Sequence, residues 1–342
     1  MYELKFDTEV CAVCGTYDCL MKCQYQTFDQ ESARAERENL NRGDDSRVLH
    51  DCATCYACEE YCQKGNHPFY QIAELQEAKD IWPAPKPIVH QQMKMYAPKG
   101  DFQDHHQEIK GKALDLCLFP ALKGTIQGEL YEDTSLIMGR DVFCNLVYLH
   151  FAKVSVIKER VPQVIENLAS THLEELICYH DECYGLYASW APAHGIDVPF
   201  KPTHLFEHLR DQIRAKLAQD PQNVKKLGIK VAYQRPCSAR LTPESEPFLD
   251  EILELIGVER VERTYDRENA LCCGAVLRAQ GRDELAEDLN ERNIQDMLDF
   301  GASMTLFNCP ACYSTLNQMV TEQGLKPIMV SDLCRLAIGE IA

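Results

Sequence analysis

Five cysteines in the C-terminal third of the chain follow one spacing, which constrains the fold more than any other feature of the sequence. The spacing reads C-x34-C-C-x35-C-x2-C, with Gly274 directly after the doublet, and its members are Cys237, Cys272, Cys273, Cys309 and Cys312. Adjacent cysteines rarely bind one ordinary metal ion, whereas an iron–sulfur cluster of unusual shape can be bound by both. The spacing therefore indicates an iron–sulfur site whose ligands come from distant parts of the chain.

Two tight groups of four cysteines lie near the N-terminus. The second group has the C-x2-C-x2-C-x3-C spacing of bacterial ferredoxins, with Gln63 in place of the usual proline. In ferredoxins with two clusters, the fourth cysteine of such a run binds the other cluster. We therefore expect two cubane [4Fe–4S] clusters with crossed ligands, one on Cys52, Cys55, Cys58 and Cys23, the other on Cys11, Cys14, Cys19 and Cys62. Structural zinc is the alternative, but zinc knuckles use two well-separated C-x2-C pairs.

The number of cysteines bears on the cellular compartment. Eighteen cysteines in 342 residues would suit a disulfide framework, but such frameworks normally belong to short chains with a signal peptide. The first seven residues have neither the basic nor the apolar region of a signal peptide, and the tight cysteine spacing is typical of metal ligands. We therefore expect a reducing, cytoplasmic location.

The chain is strongly acidic. Its 35 basic and 53 acidic residues give a net charge of −18, which argues against nucleic acid and anionic membranes as partners. A solvated acidic surface explains this charge, and docking to a basic partner protein is the alternative. The apolar stretch 143–152 is much shorter than a membrane span and is followed by Lys153, so we expect no direct membrane span.

The pattern of apolar residues changes along the chain. Phe28–Asn41 and Tyr70–Lys79 predict helices near the N-terminal cysteine groups, and Trp82–Pro87, with three alternating prolines, is the best linker candidate. From Ala113 onward, short apolar runs alternate with amphipathic helices, which is typical of an α/β domain. The predicted strands are Ala113–Phe119, Glu175–Tyr179, Lys230–Tyr233, Ser303–Phe307 and Ile328–Val330. The predicted helices are Val161–Leu168, Leu205–Leu217, Glu246–Leu255, Asp283–Leu298, which Gly301 would end, and Tyr313–Gln323.

The α/β region contains a weak internal repeat. Cys117 and Cys144 stand roughly where Cys237 and the doublet stand in the second copy. The pair Cys178 and Cys183 corresponds to the final C-x2-C of the quintet, with two extra residues between them. Two copies of one α/β unit are the simplest explanation. The first copy has diverged, because Phe143-Cys144-Asn145 replaces Cys-Cys-Gly.

The residues around the quintet also carry a family resemblance. Leu271-Cys272-Cys273-Gly274 and Asn308-Cys309-Pro310-Ala311-Cys312 resemble the CCG cysteine-rich domain of the catalytic HdrB-type subunits of heterodisulfide reductases. That domain also occurs in the iron–sulfur subunits of anaerobic glycerol-3-phosphate, glycolate and lactate oxidising enzymes. The two N-terminal groups look like the small HdrC-type polypeptide of the same reductase, a helical ferredoxin. The chain as a whole therefore resembles a fusion of the HdrC and HdrB types.

The resemblance implies a domain organisation. The protein would be an α+β multidomain protein, in which a helical ferredoxin-like domain at 1–95 precedes two α/β subdomains. The first of these, at 96–220, would be a degenerate CCG-type unit, and the second, at 221–342, would be intact.

This resemblance further implies a cofactor for the intact subdomain. A noncubane [4Fe–4S] cluster would be bound by the five cysteines of the quintet, Cys237, Cys272, Cys273, Cys309 and Cys312. Where the family often reads Tyr-His-Asp-Pro-Cys, this chain has Tyr233-Gln234-Arg235-Pro236-Cys237. The histidine and aspartate that could transfer protons are therefore missing, and the last histidine of the chain, His208, precedes the second copy.

The first copy offers four thiols where the second offers five. Cys117, Cys144, Cys178 and Cys183 could bind a cubane cluster, a zinc ion or nothing. We expect no noncubane cluster there, because Phe143 cannot bind iron. The segment Tyr179-His180-Asp181-Glu182 is either a proton relay or metal site, or a polar loop. Cys334 is interpreted as a core thiol.

Two hypotheses for function follow from the resemblance. In the first, the chain is an iron–sulfur electron-transfer subunit of a heterodisulfide reductase-like oxidoreductase complex, and it passes electrons between the cubane clusters and the noncubane cluster. In the second, the chain is itself the disulfide or thiol reductase, acting at the cluster of Cys272 and Cys273. The diverged first copy favours the first hypothesis, and whether the isolated chain is an enzyme is left open.

The same hypotheses predict partner proteins. No glycine-rich dinucleotide fingerprint follows a predicted strand. Flavin or nicotinamide would therefore be bound by a partner, either a flavoprotein of the HdrA type or a dehydrogenase or hydrogenase module.

Overall fold

The N-terminal part of the chain is helical. The computed structural model describes residues 4–102, 108–109 and 111–342. The first helices are α1 (Thr8–Ala12), α2 (Asp18–Met21), α3 (Gln30–Arg42), α4 (Arg47–Asp51), α5 (Ala57–Tyr61), α6 (Pro68–Ala78) and α7 (Lys86–Met95). The two helices predicted in this part are confirmed as α3 and α6, each with ends shifted by one or two residues.

Local hydrogen bonds determine where α3 begins. The Asp29 carboxylate accepts a hydrogen bond from the Ser32 N–H at 2.8 Å, and the Ser32 hydroxyl accepts one from the Asp29 N–H at 3.0 Å. This capping box satisfies amides that have no partner within the helix. Gly43 ends the helix with a φ of 70°, a conformation that glycine adopts without strain.

The predicted linker Trp82–Pro87 is only partly correct. Residues 82–85 are not helical, but α7 begins at Lys86 and carries Pro87 in its first turn. Proline fits there because the N–H that it lacks would have no partner within the helix. The prediction of an extended chain is therefore wrong for the last two residues of the segment.

Two four-stranded parallel sheets form the rest of the architecture. The strands are β1 (Lys112–Asp115), β2 (Thr134–Ile137), β3 (Glu175–Cys178), β4 (Lys201–His204), β5 (Ile229–Gln234), β6 (Val258–Arg260), β7 (Met304–Phe307) and β8 (Lys326–Met329). Their orders are β2-β1-β3-β4 and β6-β5-β7-β8, and every neighbouring pair is parallel. The predicted α/β pattern is confirmed, and the two sheets have the same strand order.

Helices connect and cover the strands. They are α8 (Val154–Ser170), α9 (Asp181–Gly185), α10 (Ala191–Ala193), α11 (Leu205–Gln219), α12 (Glu246–Ile256), α13 (Ala275–Ala279), α14 (Asp283–Asp299), α15 (Pro310–Glu322) and α16 (Val330–Ala337). The five helices predicted in this region are confirmed as α8, α11, α12, α14 and α15. The largest shift is in α8, which begins well before Val161 and carries Pro162 in its interior. Gly301 follows α14 with a φ of 74°, as expected for a residue that ends a helix.

Two strand predictions need correction. The predicted strand Ala113–Phe119 ends at Asp115, because the Asp115 carboxylate accepts a hydrogen bond from the Cys117 N–H at 2.7 Å and Cys117 turns the chain with a φ of 55°. The strand predicted at Ile328–Val330 ends at Met329, and α16 begins directly after it. Strands β2, β4 and β6 lack a clear sequence signal, since β6 has only three residues and β4 begins Lys-Pro.

Apolar side chains join the two sheets into one core. Leu114 and Ile177 from the first sheet belong to the same buried cluster as Val231 and Leu306 from the second. Helices α11 and α12 pack against each other across this core. The two sheets are therefore held together, and the loops at their strand ends can meet.

The N-terminal helices pack against the first sheet. Phe69 of α6 and Tyr56 lie in the same buried cluster as Phe143 and Leu146, which follow β2. Across the described ranges, no helix combines the length and the apolar character needed to cross a membrane.

Candidate functional site

The cysteines of the α/β region follow the carboxyl ends of parallel strands. In the second sheet Cys237 follows β5, the doublet Cys272 and Cys273 follows β6, and Cys309 follows β7 by two residues. In parallel sheets this edge is where ligands usually bind. The fold therefore brings cysteines that are distant in sequence to one edge of the sheet, as the quintet spacing predicts.

The five thiols of the quintet form a continuous chain of contacts. The Cys237 side chain contacts Cys272, and Cys272 also contacts its neighbour Cys273. Cys273 and Cys309 both contact Cys312. Five soft sulfur donors linked by contacts in this way suit iron–sulfur chemistry better than a hard cation. The donor set therefore fits the cluster that the resemblance implies.

Some of these thiols are poised to ionise, and thiolate is the form that binds metal. Hydrogen bonds from the side chains of Cys272 and Cys312 lower the pKa of Cys273 to about 5 despite burial. The pKa of Cys309 also lies well below its usual value, because its contacts with Cys312 and with His180 outweigh burial.

Two features of the structure require glycine at position 274: neighbouring side chains leave no room for a Cβ, and the backbone has a positive φ. Its φ is 84°, and a Cβ placed there would lie 2.7 Å from Arg278 Nη1 and 3.0 Å from the Ala286 Cβ. Its N–H donates a hydrogen bond to Cys272 Sγ at 3.3 Å. The glycine after the doublet therefore lets the backbone turn tightly next to a ligand sulfur.

The first N-terminal site combines three cysteines of the first sequence group with one cysteine of the second. One cavity is lined by Cys11, Cys14, Cys19 and Cys62 together. Burial raises the pKa of Cys19 to about 12, with further contributions from the thiols of Cys62, Cys11 and Cys14. Arg37 donates a hydrogen bond to Cys11 Sγ at 3.4 Å. The structure thus places Cys62 with the first three cysteines, as the ferredoxin rule predicts.

The second N-terminal site lies between the first site and the quintet. Burial, opposed by Arg240 and assisted by the thiols of Cys23 and Cys237, raises the pKa of Cys55 to about 11. The pKa of Cys58 is raised by burial and also by Cys52, Cys55 and Cys19. This second site therefore neighbours both other sites. Cys58 interacts electrostatically with Cys19 of the first site, and Cys55 interacts with Cys237 of the quintet.

Direct contacts also join this second site to the quintet. The Cys272 N–H donates a hydrogen bond to the Tyr25 hydroxyl at 3.4 Å. Ala53, next to Cys52, shares a small buried cluster with Cys272, and Tyr25 packs against it. The helical part and the CCG-like part of the chain therefore meet at the cysteines themselves.

A separate group of thiols lies at the edge of the first sheet. The sulfurs of Cys117, Cys144 and Cys183 all lie within 4.8 Å of one another and are buried. Cys178 is not a member of this group, and its Sγ lies 3.7 Å from the Leu176 carbonyl oxygen. Of the four candidate ligands, the structure therefore brings together three.

A buried carboxylate accompanies these three thiols. Asp115 is fully buried, and among the described residues its Oδ2 has no hydrogen-bond partner. Burial and the neighbouring Cys117 thiol raise its pKa well above the usual value. Sequence reasoning missed Asp115, although its position directly before the turn that carries Cys117 was a usable signal.

Corresponding strands of the two sheets can be aligned by their last residues. Cys178 is the last residue of β3, as Phe307 is of β7, and Cys183 and Cys312 each follow five residues later. His180 therefore occupies in the first sheet the position that Cys309 occupies in the second. The interpretation of Cys178 and Cys183 as a C-x2-C with two extra residues is wrong. The alignment of Phe143-Cys144-Asn145 with Cys272-Cys273-Gly274 is consistent with the backbone conformation. Asn145 and Gly274, the last residues of the two segments, both have positive φ, 63° and 84°.

The segment Tyr179-His180-Asp181-Glu182 lies at the boundary between the sheets and is buried. His180 Nε2 lies 3.3 Å from Cys309 Sγ, and Glu182 lies 3.8 Å from the other ring nitrogen of His180. His150 Nε2 lies 3.7 Å from Cys237 Sγ and 3.7 Å from Glu182 Oε1. The segment is therefore a buried one that continues into the helix Asp181–Gly185, and its His180 contacts the quintet.

Comparison with known proteins supports the assignment of the second sheet. Residues 231–317, which include all five quintet cysteines, match the family model of the cysteine-rich domain CCG. This part of the chain is therefore a cysteine-rich domain of the iron–sulfur, electron-transfer type. No curated protein matches the chain.

Two solved structures show low overall similarity. Glutamate racemase isoform RacE1 from Bacillus anthracis has 13% identity and a TM-score of 0.33, over 69% of this chain and 82% of that chain. Glutamate racemase from Campylobacter jejuni subsp. jejuni has 11% identity and a TM-score of 0.34, over 66% of this chain and 83% of that chain.

Proposed function

We propose that this chain is an iron–sulfur electron-transfer subunit of a heterodisulfide reductase-like oxidoreductase complex. The observation that carries the proposal is the position of the second N-terminal site beside the quintet. The Cys55 thiol neighbours Cys237, and the Tyr25 hydroxyl accepts a hydrogen bond from the Cys272 N–H. The cysteine sites would hold one-electron carriers, two cubane clusters and one noncubane cluster.

The surrounding residues would hold the three clusters close together and exclude water from the space between them. Cys19 and Cys58 influence each other electrostatically, so the two N-terminal sites adjoin. Tyr56 is buried beside Cys237, and the partly buried Tyr25 lies beside Cys272. Their rings exclude water between the sites, and low polarity strengthens electrostatic coupling. The order of the sites supports a route from the first N-terminal site through the second to the quintet.

The second candidate function is reduction of a disulfide at Cys272 and Cys273. The equal strand orders and the positive φ at Asn145 and Gly274 support the interpretation of the two α/β subdomains, 96–220 and 221–342, as copies of one unit. The first copy has Phe143 in place of the first doublet cysteine and His180 in place of Cys309. A mechanism that needs the same cluster on both sides is therefore disfavoured, and electron transfer is the better-supported function.

We also propose a single-metal site in the first copy. Cys117, Cys144 and Cys183 supply three sulfur ligands that lie within 4.8 Å of one another. The Asp115 carboxylate neighbours Cys117 and Cys183 but lies outside this group. Three clustered thiolates suit zinc, whose fourth ligand would be Asp115 after a small shift of its side chain, or a solvent molecule. The metal would stabilise the loops at this edge of the sheet.

Partner proteins would supply what the chain does not. A flavoprotein of the HdrA type, or a dehydrogenase or hydrogenase module, would deliver or accept electrons at the first N-terminal site. The net charge of −18 would favour a basic docking surface on that partner. The proposed complex would operate in the cytoplasm.

Electron paramagnetic resonance tests the proposed function directly. In anaerobically prepared, dithionite-reduced protein, we expect spectra broadened by interaction between neighbouring paramagnetic sites. Substitution of both doublet cysteines by serine should remove one signal and sharpen that of the second N-terminal site. Signals without mutual interaction would contradict the electron-transfer route. Steady turnover of small disulfides by the isolated chain would instead support the second candidate function.

A further inference from the structure

We propose that His180 is a positioning residue that raises the reduction potential of the quintet's cofactor by donating a hydrogen bond to Cys309 Sγ. His150 acts in the same way on Cys237. Both histidines belong to the first copy, whereas both sulfurs belong to the second. The inference rests on the cluster proposed above for the quintet, and it assigns the first copy a role in tuning the second.

The contact between His180 and Cys309 is short and buried. Nε2 and Sγ are 3.3 Å apart, and His180 is 7% exposed. A cysteine sulfur that binds metal has no proton and can only accept a hydrogen bond. The ring nitrogen must therefore be the donor.

The chain on both sides of His180 is held to the second sheet. Asn308, which directly precedes Cys309, donates hydrogen bonds to the Tyr179 carbonyl and to Asp181 Oδ2, each at 3.3 Å. Asp181 Oδ1 lies 3.2 Å from His204 Nε2. One residue next to the ligand thus fixes both neighbours of the histidine, so the ring and the sulfur stay aligned.

His150 is held in a comparable way. Gln280 donates a hydrogen bond to Thr54 Oγ1 at 2.9 Å, and Thr54 Oγ1 lies 3.3 Å from His150 Nδ1. The Tyr56 ring stacks on the imidazole with a centroid distance of 4.4 Å. The distance from Nε2 to Cys237 Sγ is 3.7 Å, so we expect a weaker effect than that of His180.

Hydrogen bonds to ligand sulfurs favour the more negative, reduced state of an iron–sulfur centre and so raise its potential. The second copy contains no histidine of its own, and Gln234 and Arg235 stand just before Cys237. The histidines that face the quintet therefore come from the other copy. This placement also explains why the first copy can lose a ligand position to His180 and still act on the quintet.

The test compares reduction potentials of the quintet signal in anaerobic titrations followed by electron paramagnetic resonance. His180→Leu removes the donor, and His180→Gln keeps an N–H. We expect the leucine variant to shift the ratio of reduced to oxidised centre about tenfold, which corresponds to a potential about 59 mV lower for one electron. The glutamine variant should stay closer to wild type. His150→Leu should shift the potential in the same direction by less.

Two comparisons make the result decisive. His194→Leu removes a histidine that stacks on Trp190, and it should leave the reduction potential of the quintet's centre unchanged. The signals of the N-terminal sites should be unchanged in every variant. If the leucine variant does not assemble, His180→Asn, whose amide is too short to reach Cys309, should show the same lowered potential. An unchanged potential in the leucine or asparagine variant would overturn the inference while leaving the proposed function intact. Absence of any quintet signal in wild-type protein would overturn the proposed function itself.

Discussion

Arg235 and Glu60 form a two-pronged ion pair between the CCG domain and the helical N-terminal part of the chain. Arg235 Nη1 lies 2.6 Å from Glu60 Oε2, and Nη2 lies 2.6 Å from Oε1. Arg235 is 1% exposed in its side chain and Glu60 is 11% exposed. Arg235 occupies one of the positions where the resembling family often has a histidine or aspartate. Arg235 therefore forms a structural contact in the segment just before Cys237.

Glu60→Ala tests the strength of this contact. Glu246 Oε2 also lies 2.8 Å from Arg235 Nε, so the guanidinium keeps one partner when Glu60 is removed. The loss in free energy of unfolding should therefore be about 3 kcal/mol, the lower end of what breaking a buried pair costs. We expect a loss of that size in chemical denaturation of the anaerobic protein. The matched control is Glu259→Ala, because Glu259 pairs with Lys230 and both side chains are more than half exposed. The control should cost less than about 1 kcal/mol, and equal losses for the two variants would contradict the structural role.

The crossed ligands of the N-terminal sites can be tested with two double variants. If Cys11 and Cys62 bind the same cluster, replacement of both by serine should remove about four irons per chain. Replacement of Cys11 and Cys23, which would bind different clusters, should remove about eight. Iron determination after anaerobic reconstitution measures both values. The reverse result, with the larger loss for Cys11 and Cys62, would show that each sequence group binds its own cluster.

Much of the fold and site could be predicted because the signals are local. The ferredoxin run and the quintet have fixed spacings, and helices such as α14 have a clear period and a terminal glycine. Strand β4 could not be predicted, because it begins with Lys201 and Pro202, and a charged residue followed by proline is not typical of a strand. The register error at Cys178 arose because the cysteine pair was aligned by residue type, whereas the strand ends place His180 opposite Cys309. The contact between His180 and Cys309 joins residues 129 positions apart, and no local pattern reports such a contact.

Gly274→Ala tests whether close approach beside the doublet is needed. The new Cβ would collide with Arg278 and Ala286, so we expect loss of the quintet's iron and of its spectroscopic signal. Gly301→Ala is the matched control, since Gly301 also has a positive φ, 74°, but nothing lies within 4 Å of its added Cβ. Both variants carry backbone strain of about 1–2 kcal/mol. If Gly274→Ala retained full iron content, the argument from crowding would be wrong.

The metal site of the first copy predicts a difference between two cysteines of that copy. Cys144→Ser should abolish about one bound zinc per chain, because Cys144 is one of three clustered thiols. Cys178→Ser should retain the metal, since Cys178 lies outside the cluster. Elemental analysis of chains purified without chelator compares the two. Equal loss of zinc in both variants, or zinc absent from wild type, would contradict the site.

The central claim is that this chain holds three iron–sulfur centres, two in the helical part and one at the quintet. Anaerobic determination of iron and acid-labile sulfide tests it most directly. We predict about twelve irons per chain in wild type and about eight after Cys272→Ser and Cys273→Ser together. About eight irons in wild type, unchanged in the double variant, would show that the quintet holds no cluster. About sixteen irons would place a further cluster at Cys117, Cys144 and Cys183 and would contradict the zinc site.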